Sequence, residues 1–133
     1  MIVKSYVNNP DYEKESIIIG DGGEPNINYG IKFSTSDHCY IMQNKNEENI
    51  ILKYIYYYLY YNLNIMEKLY TGIAIKNISK TNIENIQLPI PSLEKQQEIV
   101  KYLDLVYEKN KQLEQEIEEN KKQTLLYISK LFK

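Results

Sequence analysis

The sequence predicts an α/β fold: a mixed, partly irregular sheet with a packed helix, followed by a long C-terminal coiled-coil helix. Three observations carry this expectation. Ser16 to Gly20 is a continuous β-branched run, the pattern of a strand buried on both faces. Between residues 49 and 69, apolar side chains recur at Ile51, Leu52, Ile55, Leu59, Leu63, Ile65, Met66 and Leu69, mostly at helical spacing. From Ser92 onward neither Pro nor Gly interrupts an apolar seam that alternates at four and three residues. The expected division is a globular part over 1–91 and a pairing helix over 92–133.

Taken in order, residues 2–7 read as a short strand, and Asn8-Asn9-Pro10-Asp11 as turn chemistry. After the strand at 16–20, Asp21-Gly22-Gly23 makes a tight turn because Gly tolerates positive φ. Residues 24–30 read as a loop ending in Gly30, and Ile31 to Phe33 and Cys39 to Gln43 as strands. The tyrosine run from Tyr54 to Tyr61 has strand propensity, but the flanking periodicity favours a helix. Its rings suit packing against a sheet better than stacking on a ligand. Gly72 ends that helix, and Ser79 and Thr81 suit the cap of a short helical segment. Asn85 to Ile90 is strand-like, but Pro89 and Pro91 confine it to an edge or an exit from the sheet. Ser92 is a good N-cap, with Gln96 placed near the capping-box position. The seam of the long helix is Ile99, Leu103, Val106, Asn110, Leu113, Ile117, Asn120, Thr124, Tyr127 and Leu131. A polar Asn in such a seam costs stability and fixes register and partner number.

Chemistry-bearing patterns are sparse. His38 has no second His, and its neighbour Cys39 would face the opposite side of a strand, so no metal site is expected. The single cysteine excludes an internal disulfide and fits a reducing compartment. Asp21-Gly22-Gly23 lacks the Gly-Lys-Ser/Thr continuation of a phosphate loop. The carboxylates of the long helix read as a solvated acidic surface. The expectation is a non-catalytic chain without a cofactor. No signal peptide is expected, and Ile50 to Tyr61 is too short and tyrosine-rich to span a bilayer, so the expected location is cytoplasmic with no membrane partner.

One stretch carries a family resemblance. GIAIKNISKTNIENIQLPIPSLEKQQEIV resembles the end of a target-recognition domain in the specificity subunits of type I restriction–modification systems. The matching features are Gly72, Ser79, Leu88-Pro89-Ile90-Pro91, Leu93-Glu94, Gln96-Gln97 and Ile99-Val100. Upstream, IIIGDGG and GIKFSTSDHCYIM look like that family's central strands and glycine turn. The resemblance implies that residues 1–91 form part of a domain reading one half of a bipartite duplex DNA site. It also implies that the long helix pairs, spaces the half-sites and docks methyltransferase and restriction subunits, which hold the enzyme activities. A seam with no partner in its own chain invites a homodimer or a partner helix through residues 92–133. The family's domains carry further strands before this point, so the resemblance also predicts an incomplete sheet and a marginally stable isolated chain.

On this footing the expected DNA contacts lie in or beside two polar loops, 34–38 and 72–80. They are Lys32, Ser34, Ser36, Lys76, Asn77 and Lys80, with the lysines on phosphate and Asn77 suited to adenine. All 16 basic residues are lysine, so the commonest specific contact, arginine to guanine, is ruled out. Neither part is basic: 1–91 has eight Lys against ten acidic residues, and 92–133 has eight of each. That balance keeps open a second class, a degenerate remnant or coiled-coil interaction protein that does not bind DNA.

Overall fold

A computed structural model describes residues 10–133, and the chain divides after Glu98 into two compact units. The first holds a three-stranded sheet and three short helices. β1 (Ser16–Gly20) lies between β2 (Ile27–Gly30) and β3 (Cys39–Met42). Both pairings are antiparallel: Ile17 faces Tyr29 on one side and Met42 on the other. Ile17 and Ile19, which share one face of β1, have no exposed surface, whereas Ile18 on the opposite face is half-buried between the buried Ser16 and Gly20. Both of its edge partners come from downstream sequence. The strand expected at 2–7 lies outside the described residues.

Two expectations around β2 are corrected. Residues 27–30, read as loop, form the strand, and Ile31 to Phe33, read as strand, do not. Asn28 and Gly30 lower the intrinsic propensity, but pairing with an apolar central strand overrides it. Ile27 is buried, the Tyr29 hydroxyl donates to the Glu15 carboxylate at 2.6 Å, and the Tyr29 ring lies 5.6 Å from that of Tyr56. Beyond Gly30 the chain makes one isolated antiparallel bridge, in which Phe33 and Tyr12 exchange backbone hydrogen bonds and stack their rings at 4.9 Å. Residues 31–38 then cross β1 to enter β3, because β2 and β3 run in the same direction on either side of it.

The helix expected over 49–69 is two helices, α1 (Leu52–Tyr61) and α2 (Leu63–Glu67). Asn62 separates them: its carboxamide donates back to the Tyr58 carbonyl at 2.8 Å, and its backbone leaves the helical region (φ −128°, ψ 46°). Asn offers the backbone this local alternative to helix. α1 buries Leu52, Tyr54, Ile55, Tyr56, Tyr57 and Leu59, so half of the tyrosine run is core, whereas Tyr60 and Tyr61 are exposed. The Tyr54 hydroxyl donates to Pro89 O at 2.8 Å. α3 (Lys80–Glu84) starts at Ser79, whose hydroxyl accepts the Asn82 N–H at 3.1 Å, the cap that the sequence indicates. Residues 85–92 form no strand, as two prolines within three residues would cause.

α4 (Leu93–Leu131) is one continuous helix of 39 residues. Ser92 caps it, accepting the Lys95 N–H at 3.3 Å. Gln96 does not complete a capping box. Its side chain is fully buried and makes three hydrogen bonds to the backbone of two segments, 49–51 and Pro91. The carboxamide oxygen accepts the N–H of Ile51, just before α1, at 2.8 Å, and the amide nitrogen donates to the carbonyls of Asn49 and Pro91, both at 2.9 Å. Every hydrogen-bonding site that the contacts need is thereby used in a dry environment. The second unit, residues 99–133, is the remainder of α4 and buries none of its side chains.

Candidate nucleic-acid interface

β1 ends at Gly20, and β2 and β3 both begin beside that end. The turn after β1 is a junction for two other segments. Asp21 donates its N–H to His38 O at 3.0 Å and accepts the Ile78 N–H at 2.8 Å. Gly23 donates to Lys76 O at 2.9 Å, and Gly22 bridges to Asn77. The two loops that the sequence singles out, 34–38 and 72–80, thus meet on the same three residues. A Cβ at Gly22 would sit 2.8 Å from the Asn77 carboxamide oxygen, so any side chain there would push that exposed carboxamide aside. The buried Tyr70 hydroxyl donates to Gly20 O and closes the junction from below. Burial raises the Tyr70 phenol above its ordinary value of 10.0, which keeps it protonated as a donor.

The loop after Tyr70 is a small rigid finger. Thr71 and Asn77 exchange backbone hydrogen bonds at 2.9 Å in each direction and form a neck around residues 72–76. Gly72 does not cap the preceding helix, which ends at Glu67 with Lys68 as its C-cap. It permits the finger instead: its φ is +145°, and a side chain there would collide with the Ile75 carbonyl. Ile78, just past the neck, is buried, whereas Ile73 and Ile75 at the tip are 107% and 72% exposed.

The expected contact residues fall into two groups. Lys76 and Asn77 belong to the finger, Lys80 opens α3 three residues on, and all three are exposed. The backbone of Asn77 is committed to the neck, leaving its exposed carboxamide as the group available to a ligand. Lys80 lies 3.7 Å from Glu84 in an exposed pair, which weakens its hold on an outside anion only slightly. Ser36 lies near β3, with its hydroxyl 3.9 Å from the Cys39 sulfur. Lys32 and Ser34 belong elsewhere: they follow the Gly30 end of β2, which pairs with Ser16, and the Ser34 hydroxyl accepts the Asp11 N–H at 3.0 Å. The fold does not bring these two to the finger. His38 sits beside Asp21 at 3.5 Å, largely solvated.

Sequence reasoning missed the role of residues 21–23 as a joint, the apolar tip, and Gln96. The signal for the tip was available: two isoleucines bracketed by Gly72 and Lys76 in an otherwise polar loop. Among the described residues there is no cluster of three potential metal ligands, and no helix is long and apolar enough to cross a membrane.

Residues 3–121 match the sequence model of a family described as the type I restriction modification DNA specificity domain. The chain belongs to this family. Among curated proteins, this specificity-domain chain is 32% identical over 108 residues to a candidate type I restriction enzyme specificity subunit of Haemophilus influenzae, covering 77% of the chain and 27% of the relative. It is 38% identical over 84 residues to a candidate MjaX specificity subunit of Methanocaldococcus jannaschii, covering 60% of the chain and 20% of the relative. The specificity-domain chain therefore spans about a quarter of the length of these relatives. Its fold is similar to the crystal structure of a type I restriction–modification S subunit from M. genitalium, with a TM-score of 0.72 at 24% identity, over 90% of this chain and 33% of that one.

Proposed function

We propose that this chain reads DNA sequence as a non-catalytic component of a type I restriction–modification complex. The observation that carries the reading is the finger at 71–77, locked by its neck and by the 21–23 junction, in a chain of the DNA specificity family. Functional loops act best when a scaffold fixes them, and pre-ordering spares the entropy of fixing a loop on binding. Lys76 and Lys80 supply phosphate contacts, Asn77 offers a carboxamide, and Ser36 and His38 flank the same junction. Lys32 and Ser34 touch the DNA backbone separately or not at all. The seam Ile99, Leu103, Val106, Asn110, Leu113, Ile117 and Asn120 pairs with a second helix, from another copy or a longer partner. That pairing brings two reading units to one duplex. Methyl transfer and cleavage belong to partner subunits.

The test is selection from a random-sequence duplex library by the chain, alone and co-expressed with its methyltransferase subunit. A reproducibly enriched motif is expected. Lys76→Ala with Lys80→Ala should weaken binding to all sequences alike and lower the salt slope by roughly one for each phosphate no longer neutralised. Absence of any enriched motif in either format rejects the function.

A further inference from the structure

The tip of the finger holds side chains that neither phosphate binding nor hydrogen-bonded base reading uses. Ile73 is fully solvated and Ile75 is 72% exposed, although the same short segment buries Ile78 to 2% exposure. Their exposure is built in and does not come from a loose loop. The neck is closed by two backbone hydrogen bonds, the base is tied to residues 21 and 23, and the turn needs glycine at 72. Two solvated isoleucines on a rigid support lose free energy in the isolated chain and recover it only against an apolar surface. The next side chain along is Lys76, with Lys80 beyond it. The surface they fit is therefore apolar in patches and flanked by negative charge. Duplex DNA has this combination in its major groove, where thymine presents a methyl group between phosphate ridges. That groove also admits a two-stranded neck such as Thr71–Asn77. A lipid surface fits less well, because two isoleucines bury too little area to hold a protein on a bilayer.

We propose that Ile73 and Ile75 are specificity-determining residues that read thymine methyl groups in the major groove, alongside the lysine contacts. The inference rests on the DNA-reading function proposed above, and the experiment separates the failure of one from the failure of the other. The intact chain, with its methyltransferase subunit, is used to select from two random duplex libraries, one synthesised with thymine and one with uracil. Uracil keeps every hydrogen-bonding edge and lacks only the methyl.

The expected result is a motif from the thymine library containing one or more T·A pairs. Uracil replacement at those pairs should lower affinity about fourfold per methyl, the equivalent of one buried methylene. Ile73→Ser with Ile75→Ser should bind thymine and uracil duplexes equally while keeping the wild-type salt slope. Because the base change is made in the DNA, the wild-type comparison of thymine with uracil does not depend on how well the variant folds. Equal binding of thymine and uracil duplexes by the wild type overturns the inference and leaves the DNA function standing. So does a double variant that loses its methyltransferase subunit on purification and still discriminates thymine from uracil, since the tip is then a protein-binding surface. If neither library yields a motif, the DNA function itself falls.

Discussion

α1 and α4 bury apolar side chains in opposite ways. α1 has ten residues and sinks six of them into its own unit. Past Glu98, α4 has none buried; Leu113, Ile117, Leu125, Leu126, Tyr127, Ile128 and Leu131 are all exposed. A ten-residue helix is too short to persist in water unaided, so α1 exists because of its packing. α4 is long enough to persist, and its apolar stripe has no use within its own unit. The difference sets a helix held by its own unit against one whose apolar stripe is left open, the surface on which the proposed pairing rests.

The contrast between the two helices is broken most decisively at the seam. Leu103→Asp with Ile117→Asp should convert the assembly to monomers of 15.8 kDa in sedimentation, because two buried charges in a seam cannot be solvated. An unchanged mass would mean that α4 pairs through another stripe or not at all. Next is the packed side. Gln96→Leu fits the volume but leaves the Ile51 N–H and two carbonyls without partners. It should cost about 2–4 kcal/mol in urea unfolding, and a cost below about 1 kcal/mol would show that water replaces the carboxamide. Gly72→Ala should cost about 1–3 kcal/mol, the usual range for strained backbone. It should also weaken DNA binding beyond its effect on stability, since the finger must reshape.

The smallest effect is expected at Tyr70. Loss of its hydroxyl in Tyr70→Phe should cost about 1 kcal/mol at neutral pH. The folded state raises the phenol's pKa, chiefly by burial. The stabilisation from keeping it neutral is therefore complete below the ordinary value of 10.0 and is lost as pH rises through the higher folded value. Wild type should lose stability more steeply than the Phe variant above about pH 10. Some slope will remain, because burial also raises Tyr54. Parallel pH profiles would show that Tyr70 opens to solvent.

What could be read in the sequence follows the range of the forces involved. β1, the Ser79 and Ser92 caps and the whole of α4 are local patterns, and each stands where the sequence puts it. β2 is hidden because its strand character comes from pairing with Ile17 and Ile19, and Asn28 and Gly30 speak against it locally. The break at Asn62 turns on one side-chain hydrogen bond among several polar residues that could have made it. For the site, glycine spacing and lysines pick out the 72–80 loop. They do not reveal that 21–23 joins it, a set of hydrogen bonds between segments some fifty residues apart. Nor do they show that Ile73 and Ile75 face water, since an apolar residue is ordinarily read as core.

Gln96 also imposes an order in time. The hydrogen bond it accepts from the start of α1 joins residues 45 positions apart. At a synthesis rate of about 5–20 residues per second, roughly 2–9 s pass between the making of Ile51 and the making of its partner. Through that interval the sheet can pair, since β1 needs nothing beyond Met42, but α1 has no donor–acceptor closure at its N-terminus. The N-terminus of α1 thus gains this partner only once the first turn of the helix that follows it has been made.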